Sequence, residues 1–552
     1  MHKFFLLLIA IVLFINCDFK KGYPKINFSS IDISKYQKKS PLSNEDKENW
    51  VYKDIIIDSI PGVSLKRMYD TILNNKNKDG NEVIVAVLDS EIDINHKELK
   101  NSIWINKDEI PKNGIDDDGN GFIDDINGWN FLGNNKEENN NFTSYEYTRF
   151  LKKYNPIFKG KNIKDINPKD SLLYKDYKRA LNKYISRLEY AKEDIEYANM
   201  LLTSMQKVKK ELKKYFLKKE YNLRDLDSLK KVSLNNKKLQ EAILIRSNFI
   251  EYGFTQIYID NYKLNAEERI NKLLNLNHND RELTGDNSDD IKEINYGNNL
   301  VNKNINLFQH GTEVAGSILS VKNKNIKIMP VCISPFGDEH DKDIALGIKY
   351  AVDNGAQVIN MSFGKEFSLY TEWVFDAFKY AAKHNVLIVS SSGNNKFNLN
   401  NINDYFPNDN LENGIEVSDN FLLVGATTRN LNKNLIYKYS NYGDIDVDMF
   451  APGQSIYTTM PNNKYQFDSG TSLASGITSG VAAILYSYYP NLKASQVKHI
   501  LMDSGLEYTI EVNTPTKEDK NKKTPFNQLS KSGKVLNAYN ALIMADSISR
   551  KN

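Results

Sequence analysis

The chain has 552 residues, of which 40% are hydrophobic and 26% charged, and a formal net charge of +3. This is an ordinary soluble composition at a length too great for one compact domain, so a core domain carrying an insertion or second module is expected. The small net charge offers no basic field for nucleic acid, so no nucleic-acid partner is expected, and the two cysteines exclude a disulfide framework.

Residues 1–17 stand apart from the fold. Met1, His2 and Lys3 form a basic start, and the apolar run from Phe4 to Ile15 is too short to span a bilayer and fits the core of an export signal. It ends at Asn16 and Cys17. Residues 18–48 are polar and rich in Lys, Ser and Asn, as a flexible tether is. Regular patterning begins near Trp50. The run 83–88 is continuously apolar, as a central parallel strand requires, and similar runs recur at 326–331, 357–361, 386–389 and 421–424. Helical stretches at 343–353 and 370–384 separate some of them. This alternation predicts an α/β domain, a parallel sheet flanked by helices, built from residues 49–139 and 301–552. Cys332 falls in one of the apolar strands and reads as a small core residue.

Between those two parts the pattern breaks. Apolar or small residues recur at Tyr177, Leu181, Tyr184, Leu188, Ala191, Ile195, Ala198, Leu202 and Met205, in steps of four and three. That is a heptad seam. A second helical stretch, 236–274, is expected to fold back on it, so residues 140–300 read as a coiled-coil-like helical insertion. The seam is expected to pack on the core domain; a docking arm for a protein partner is the alternative.

Ahead of the insertion, Asp116, Asp118 and Asn120 fall at positions 1, 3 and 5 of an EF-hand-like loop, with Gly121 at 6 and Asp124 at 9. Alternate oxygens around a central glycine let a short loop wrap Ca2+. Position 12 is Asn127 rather than Glu, and an acidic turn without an ion is the competing reading.

Three motifs carry nucleophilic chemistry. Val-Ala-Val-Leu-Asp89-Ser ends a strand, Gln-His310-Gly-Thr-Glu-Val-Ala-Gly opens a helix, and Ser-Gly-Thr-Ser472-Leu-Ala-Ser turns into another. A serine hydroxyl needs a base within hydrogen-bond reach, and that base needs an acid to orient it. The order Asp, His, Ser is that of subtilisin. In these motifs the chain resembles the subtilisin-like serine peptidases, the subtilases, over about residues 50–135 and 300–550.

That resemblance implies an endopeptidase acting on polypeptides through an acyl-enzyme. Asn394, which ends Val-Leu-Ile-Val-Ser-Ser-Ser-Gly-Asn, is implied as an oxyanion donor. Ser362, Phe363 and Gly364 are implied as the edge that pairs with extended substrate, and the segment Tyr405-Phe406-Pro407 as part of a specificity pocket. Cys17 resembles the lipidated cysteine of bacterial lipoproteins, implying an exported chain with a membrane anchor; an ordinary signal peptide is the alternative. Three positions depart from the family pattern: Glu91 for Gly, Glu313 for His and Gly476 for Pro. Glu91 is expected to lie near the triad and raise the pKa of His310. A catalytically impaired subtilase that binds peptides or scaffolds partners through its insertion is the rival reading. An esterase or peptide ligase using the same triad is a third.

Overall fold

The computed structural model describes residue 28 and residues 30–36, 41–76, 79–216, 221–401, 405–411, 414–516 and 519–550. The export signal and Cys17 lie outside the described residues. Two units emerge, one made of the chain up to Asn141 together with Arg281–Asn552, the other of Phe142–Asp280.

The first unit opens with short helices α1 (Asn44–Glu48), α2 (Ile55–Asp58) and α3 (Leu65–Thr71), then strands β1 (Val83–Asp89) and β2 (Trp129–Asn130). The second unit is wholly helical: α4 (Glu146–Phe158), α5 (Ser171–Leu212), α6 (Leu223–Val232), α7 (Lys237–Glu251) and α8 (Gln256–Glu268), closed by a π turn. The chain then returns to the first unit through α9 (His310–Leu319), β3 (Ile326–Cys332), α10 (Asp341–Asp353), β4 (Val358–Met361), α11 (Thr371–Lys383), β5 (Leu387–Ser391), β6 (Phe421–Thr427) and β7 (Met449–Pro452). The hairpin β8 (Ile456–Met460) and β9 (Lys464–Asp468) precedes α12 (Thr471–Tyr488) and α13 (Ala494–Ser504). Strands β10 (Leu506–Glu507), β11 (Glu511–Asn513), β12 (Lys523–Pro525) and β13 (Lys534–Val535) lead to α14 (Ala538–Ser549).

Nine strands form the main sheet in the order β10-β13-β7-β6-β5-β4-β1-β3-β2, parallel throughout except for the β10–β13 pair. The apolar runs are explained by burial on both faces. Val83, Val85 and Val87 of β1 face a core shared with α9, α12, α13 and α14, whereas Ala86 and Leu88 face a second core covered by α10 and α11. Helix α12 is buried along almost its whole length, which suits a helix that is small or apolar on every side. Cys332 is buried and unpaired, and burial holds its thiol well above the ordinary range, as a core residue's would be. The closing helix starts at Ala538, after a turn in which Gly533 takes φ +65°. Among the described residues no helix is long and apolar enough to cross a membrane.

In the second unit the heptad seam is real, on a 42-residue helix about 63 Å long. Tyr177, Ala191, Ala198 and Met205 are buried at multiples of seven residues. Its cover is internal: Ala198, Leu201 and Met205 meet Phe249 and Ile259, and Val208 and Leu212 meet Leu239 and Ile243. The seam therefore satisfies itself within its own unit. The returning arm is not one helix but two, α7 and α8, broken where Gly253 takes φ +70° and Thr255 caps α8. Residues 281–300, expected in the insertion, belong to the first unit instead. There Arg281 is buried in a charged cluster with Asp286, Asp343 and Lys342, and Tyr296 donates to Asp343 at 2.6 Å.

Candidate active site

The carboxyl ends of β1, β4, β5, β6 and β7 form one edge of the sheet, where side chains leave the strands without a ladder to constrain them. Asp89 is the last residue of β1 and His310 the first of α9. Helix α9 comes close to the loop after β1 because Gly311 has no Cβ, which would stand 2.5 Å from Ser90 O. Gly311 N also accepts this approach by donating to Ser90 Oγ at 3.0 Å. The hairpin then braces the helix start, since Thr459 Oγ1 donates to Thr312 O and Thr458 Oγ1 to Glu313 O, both at 2.7 Å.

The result is a paired acid and base. His310 Nδ1 lies 2.8 and 2.9 Å from the two oxygens of Asp89, whose carboxylate is buried. That bond fixes the tautomer and leaves Nε2 for other partners, and 45% of the side chain is exposed. Desolvation disfavours the imidazolium, but the charge and hydrogen bond of Asp89 outweigh it, and Glu313 and Asp468 add to the effect. His310 is pushed up to about 9.

Glu91 plays no such part. Its carboxylate accepts from Asn139 Nδ2 at 2.7 Å and from Asn304 N, and burial raises its pKa despite these bonds. The backbone at Glu91 is not left-handed, so replacing glycine there brings no strain. The negative charge beside His310 comes instead from Glu313, one helical turn along α9, and from Asp468 at the end of β9. Burial, then the hydrogen bond and charge of Asp468, push Glu313 up to about 7, while Gln466 Nε2 donates to it at 3.1 Å.

Ser472 stands in the first turn of α12 and is 8% exposed. Its hydroxyl donates to Ser362 O at 3.1 Å, and no hydrogen bond joins it to His310. Ser362 in turn links the nucleophile segment to β4, its Oγ lying 3.0 Å from Ser475 Oγ and donating to Asn360 Oδ1 at 2.8 Å. Asn394 is held by its oxygen, which accepts from Thr471 N at 3.0 Å and Thr471 Oγ1 at 3.3 Å, leaving Nδ2 to donate. A Cβ on Gly470 would lie 3.5 Å from Asn394 Nδ2 and 3.8 Å from Ser472 N, so both donors border one small space. Gly393 makes this aim attainable, with φ +94° and a backbone pressed against Tyr405 and Asn441. Two converging N–H donors beside a nucleophile are what a developing oxyanion needs.

Phe363 is half-buried and Gly364 exposed beside them, and Lys365 pairs with Phe406 through reciprocal backbone bonds of 2.8 Å. The Tyr405-Phe406-Pro407 stretch therefore runs along this edge. Gly476 has a local reason as well: a Cβ there would lie 1.9 Å from Ser317 Oγ, and one at Gly480 would lie 2.4 Å from Ile318 O. The two glycines let α12 and α9, the helices that carry Ser472 and His310, approach closely.

The acidic loop is arranged differently from its sequence pattern. Asp116 accepts from Asn120 N and Gly121 N, and Asp124 from Asn113 N and Gly114 N, so both hold turns. Oxygens of Glu109, Asp118 and Asp125 are the ones gathered, all within 4.8 Å of one another. Asn120 Nδ2 donates to Asp118 and Asp125 at the rim of that group. Glu109 comes from outside the loop and was not anticipated.

The family model described as the subtilase family of S8 peptidases matches residues 80–529. A cell wall-associated protease of Bacillus subtilis is 35% identical over 231 residues, 39% of this chain but only 23% of that protein. Subtilisin DY of Bacillus licheniformis is 30% identical over 205 residues, 36% of this chain and 70% of that one. Among solved structures, a lanthipeptide protease is 28% identical, with 43% of this chain and 75% of that chain covered at a TM-score of 0.34. With the Asp–His–Ser order and a parallel sheet carrying its members, the family match over most of the chain leads to one conclusion: this protein belongs to the subtilase family.

Proposed function

We propose that the protein is a serine endopeptidase that hydrolyses polypeptides through an acyl-enzyme. The reading is supported by the Asp89–His310 pair, and by Ser472 N and Asn394 Nδ2 bordering one space at the start of α12. In the productive state the His310 ring is neutral, and rotation about Ser472 Cα–Cβ brings the hydroxyl from Ser362 O to Nε2. While the ring is an imidazolium, both its nitrogens are donors, and the hydroxyl has an acceptor only in Ser362 O. Ser472 Oγ then attacks the scissile carbonyl as His310 takes its proton, and Asp89 stabilises the imidazolium. Asn394 and Ser472 N receive the oxyanion, His310 protonates the leaving amine, and water repeats the sequence on the acyl-enzyme. Ser362 to Gly364 would hold the acyl side of an extended substrate by main-chain bonds. The test is labelling with a fluorophosphonate probe. Ser472-dependent labelling together with peptide hydrolysis, both lost in Ser472→Ala, is expected. A folded protein that neither labels nor hydrolyses would favour a binding role.

Export and lipidation at Cys17 belong to the same reading, supported by the basic start and apolar run before that residue. Cys17→Ala should release the protein from membranes in cell fractionation. Ca2+ held by Glu109, Asp118 and Asp125 is supported by their spacing, which suits oxygens bound to one ion at 2.3–2.6 Å. Added Ca2+ should raise Tm, and Asp118→Asn should abolish that rise. An equal rise in the variant would remove the site.

A further inference from the structure

Beyond the reacting groups, the sheet edge carries a second built feature. A cavity of about 420 Å³ is lined by Lys396, Lys433 and Lys438 together with Thr428, Asn434 and Gln454, and no Asp or Glu is among its lining residues. Among the described residues none of the three lysines is paired with a carboxylate. The ammonium groups of Lys396 and Lys438 both stand against the ring of Tyr439, 4.8 and 4.6 Å from its centroid. The backbone bond from Lys396 N to Tyr439 O, 2.9 Å, fixes that arrangement. Two like charges gathered on one ring beside a third make a site that an anion relieves.

The sheet order places this pocket relative to the reaction. Moving across the carboxyl edge, β4 leads to Ser362, β5 to Asn394, β6 to Thr428 and β7 to Gln454. Gly453 N and Gln454 N both donate to Thr427 O, so the last two ends are tied together. The pocket therefore lies beyond Asn394 on the side away from the Ser362–Gly364 edge. Strands are about 4.8 Å apart, which puts it about 5–10 Å from the β5 end. Gly470 N donates to Gly453 O at 2.8 Å, which keeps the same wall next to the nucleophile segment. If the acyl residues lie on the β4 edge, the residues released with the amine run toward β6 and β7. An extended chain advances about 3.3 Å per residue, so the first three residues after the scissile bond span this distance.

We infer that the lysine pocket selects substrates with an Asp or Glu side chain among the first three residues after the cleaved bond, an inference that rests on the peptidase reading above. Lysine suits this task as a mobile point charge that reaches a carboxylate from several registers.

The experiment is digestion of a proteome-derived peptide library, with cleavage sites read by mass spectrometry. Wild-type protein should enrich Asp and Glu about fivefold at one of those three positions, since each exposed pair contributes about 1.5- to 5-fold. In the triple variant Lys396→Gln/Lys433→Gln/Lys438→Gln the enrichment should fall to background, while preferences before the bond persist. The triple variant Lys396→Glu/Lys433→Glu/Lys438→Glu should turn the enrichment toward Lys and Arg, a reversal that a merely structural role would not give. With wild-type protein alone, going from about 0.05 M to about 0.5 M NaCl should reduce the enrichment by screening. Cleavage without acidic enrichment, or enrichment unchanged in the triple variant or by salt, overturns the inference and leaves the peptidase reading standing. If no peptide is cleaved and Ser472 takes no fluorophosphonate, both fall.

Discussion

Glu313 occupies a position where the family usually has histidine, and its replacement tests how the site is tuned. His310 works as a base only when neutral, so its pKa of about 9 sets the acidic limb of the kcat/KM profile. Glu313 loses its proton near 7, two units earlier, so it is already ionised when the imidazole titrates. A negative charge stabilises the imidazolium. Glu313→Gln removes it, the ring gives up its proton at lower pH, and the limb moves down. Residues three apart on a helix have Cβ atoms about 5–6 Å apart. At about 6 Å a unit charge pair is worth about 0.7 kcal/mol in water-like surroundings and about 2.8 kcal/mol at an effective dielectric of 20. That range corresponds to about 0.5–2 pH units. With the imidazole half exposed, a shift of about one unit is expected.

The assay is kcat/KM for a fluorogenic peptide between about pH 5 and pH 10.5, with Glu91→Gln run beside Glu313→Gln. The Glu91 variant should leave the limb in place, because the groups that raise His310 are Asp89, Glu313 and Asp468. An unmoved limb in Glu313→Gln, an upward shift, or an equal shift in Glu91→Gln would refute the reasoning. Asp468→Asn should act in the same direction as Glu313→Gln and also lower the pKa of Glu313, whose proton Asp468 helps to retain.

Other perturbations have defined outcomes. Asn394→Ala should lower kcat by about 10²–10³ with little change in KM, the magnitude established for the equivalent donor of subtilisin itself; equal loss in KM would assign it to binding. Gly476→Ala should cost about 1–3 kcal/mol in urea denaturation, because its Cβ would meet Ser317 Oγ at 1.9 Å. Ser317→Ala should recover part of that cost in a double-mutant cycle, and additive effects would show that the two helices do not meet there. Arg281→Met leaves Asp286 and Asp343 buried without their guanidinium and should cost about 3–5 kcal/mol. A loss below about 1 kcal/mol would mean that Lys342 and Tyr296 suffice to hold both carboxylates.

Asp89, His310 and Ser472 were legible because each follows a local rule: an apolar run ending in an acid, a helix opening on histidine, a Gly-Thr turn entering a helix. The sheet was legible for the same reason, its strands being apolar on both faces. What sequence could not show depends on encounters between distant segments. The reason for Gly476 is Ser317, and nothing near either residue predicts how closely α9 and α12 approach. Asp468 sits on β9, whose residues are mostly exposed or half-exposed, so only the hairpin's return brings its charge to Glu313. The Asp116 and Asp124 pattern matched a cation loop, yet both carboxylates took nearby backbone N–H groups, the cheaper local satisfaction for Asp in tight turns. The break between α7 and α8 had a visible signal in Gly253 and Thr255. A single long apolar periodicity had masked it.

The lysine pocket and the Glu313–Asp468 pair acquire a common meaning from the sheet order. Asp89 and α9 stand on one side of the Ser362 edge, and β6 and β7 stand on the other. In the proposed mechanism, attack by Ser472 leaves an imidazolium at His310 and an oxyanion at Asn394. Glu313 and Asp468 stabilise that imidazolium, and the ammonium groups stand beyond Asn394, on the side where negative charge develops. The three lysines are exposed and Asp468 is partly so, whereas Glu313 is buried, and salt screens exposed charges most. A peptide with no charged side chains should therefore be cleaved more slowly as ionic strength rises, with the change in kcat. If only KM responds, or if salt has no effect on a neutral peptide, the lysines act on the substrate's own charge and not on the reaction.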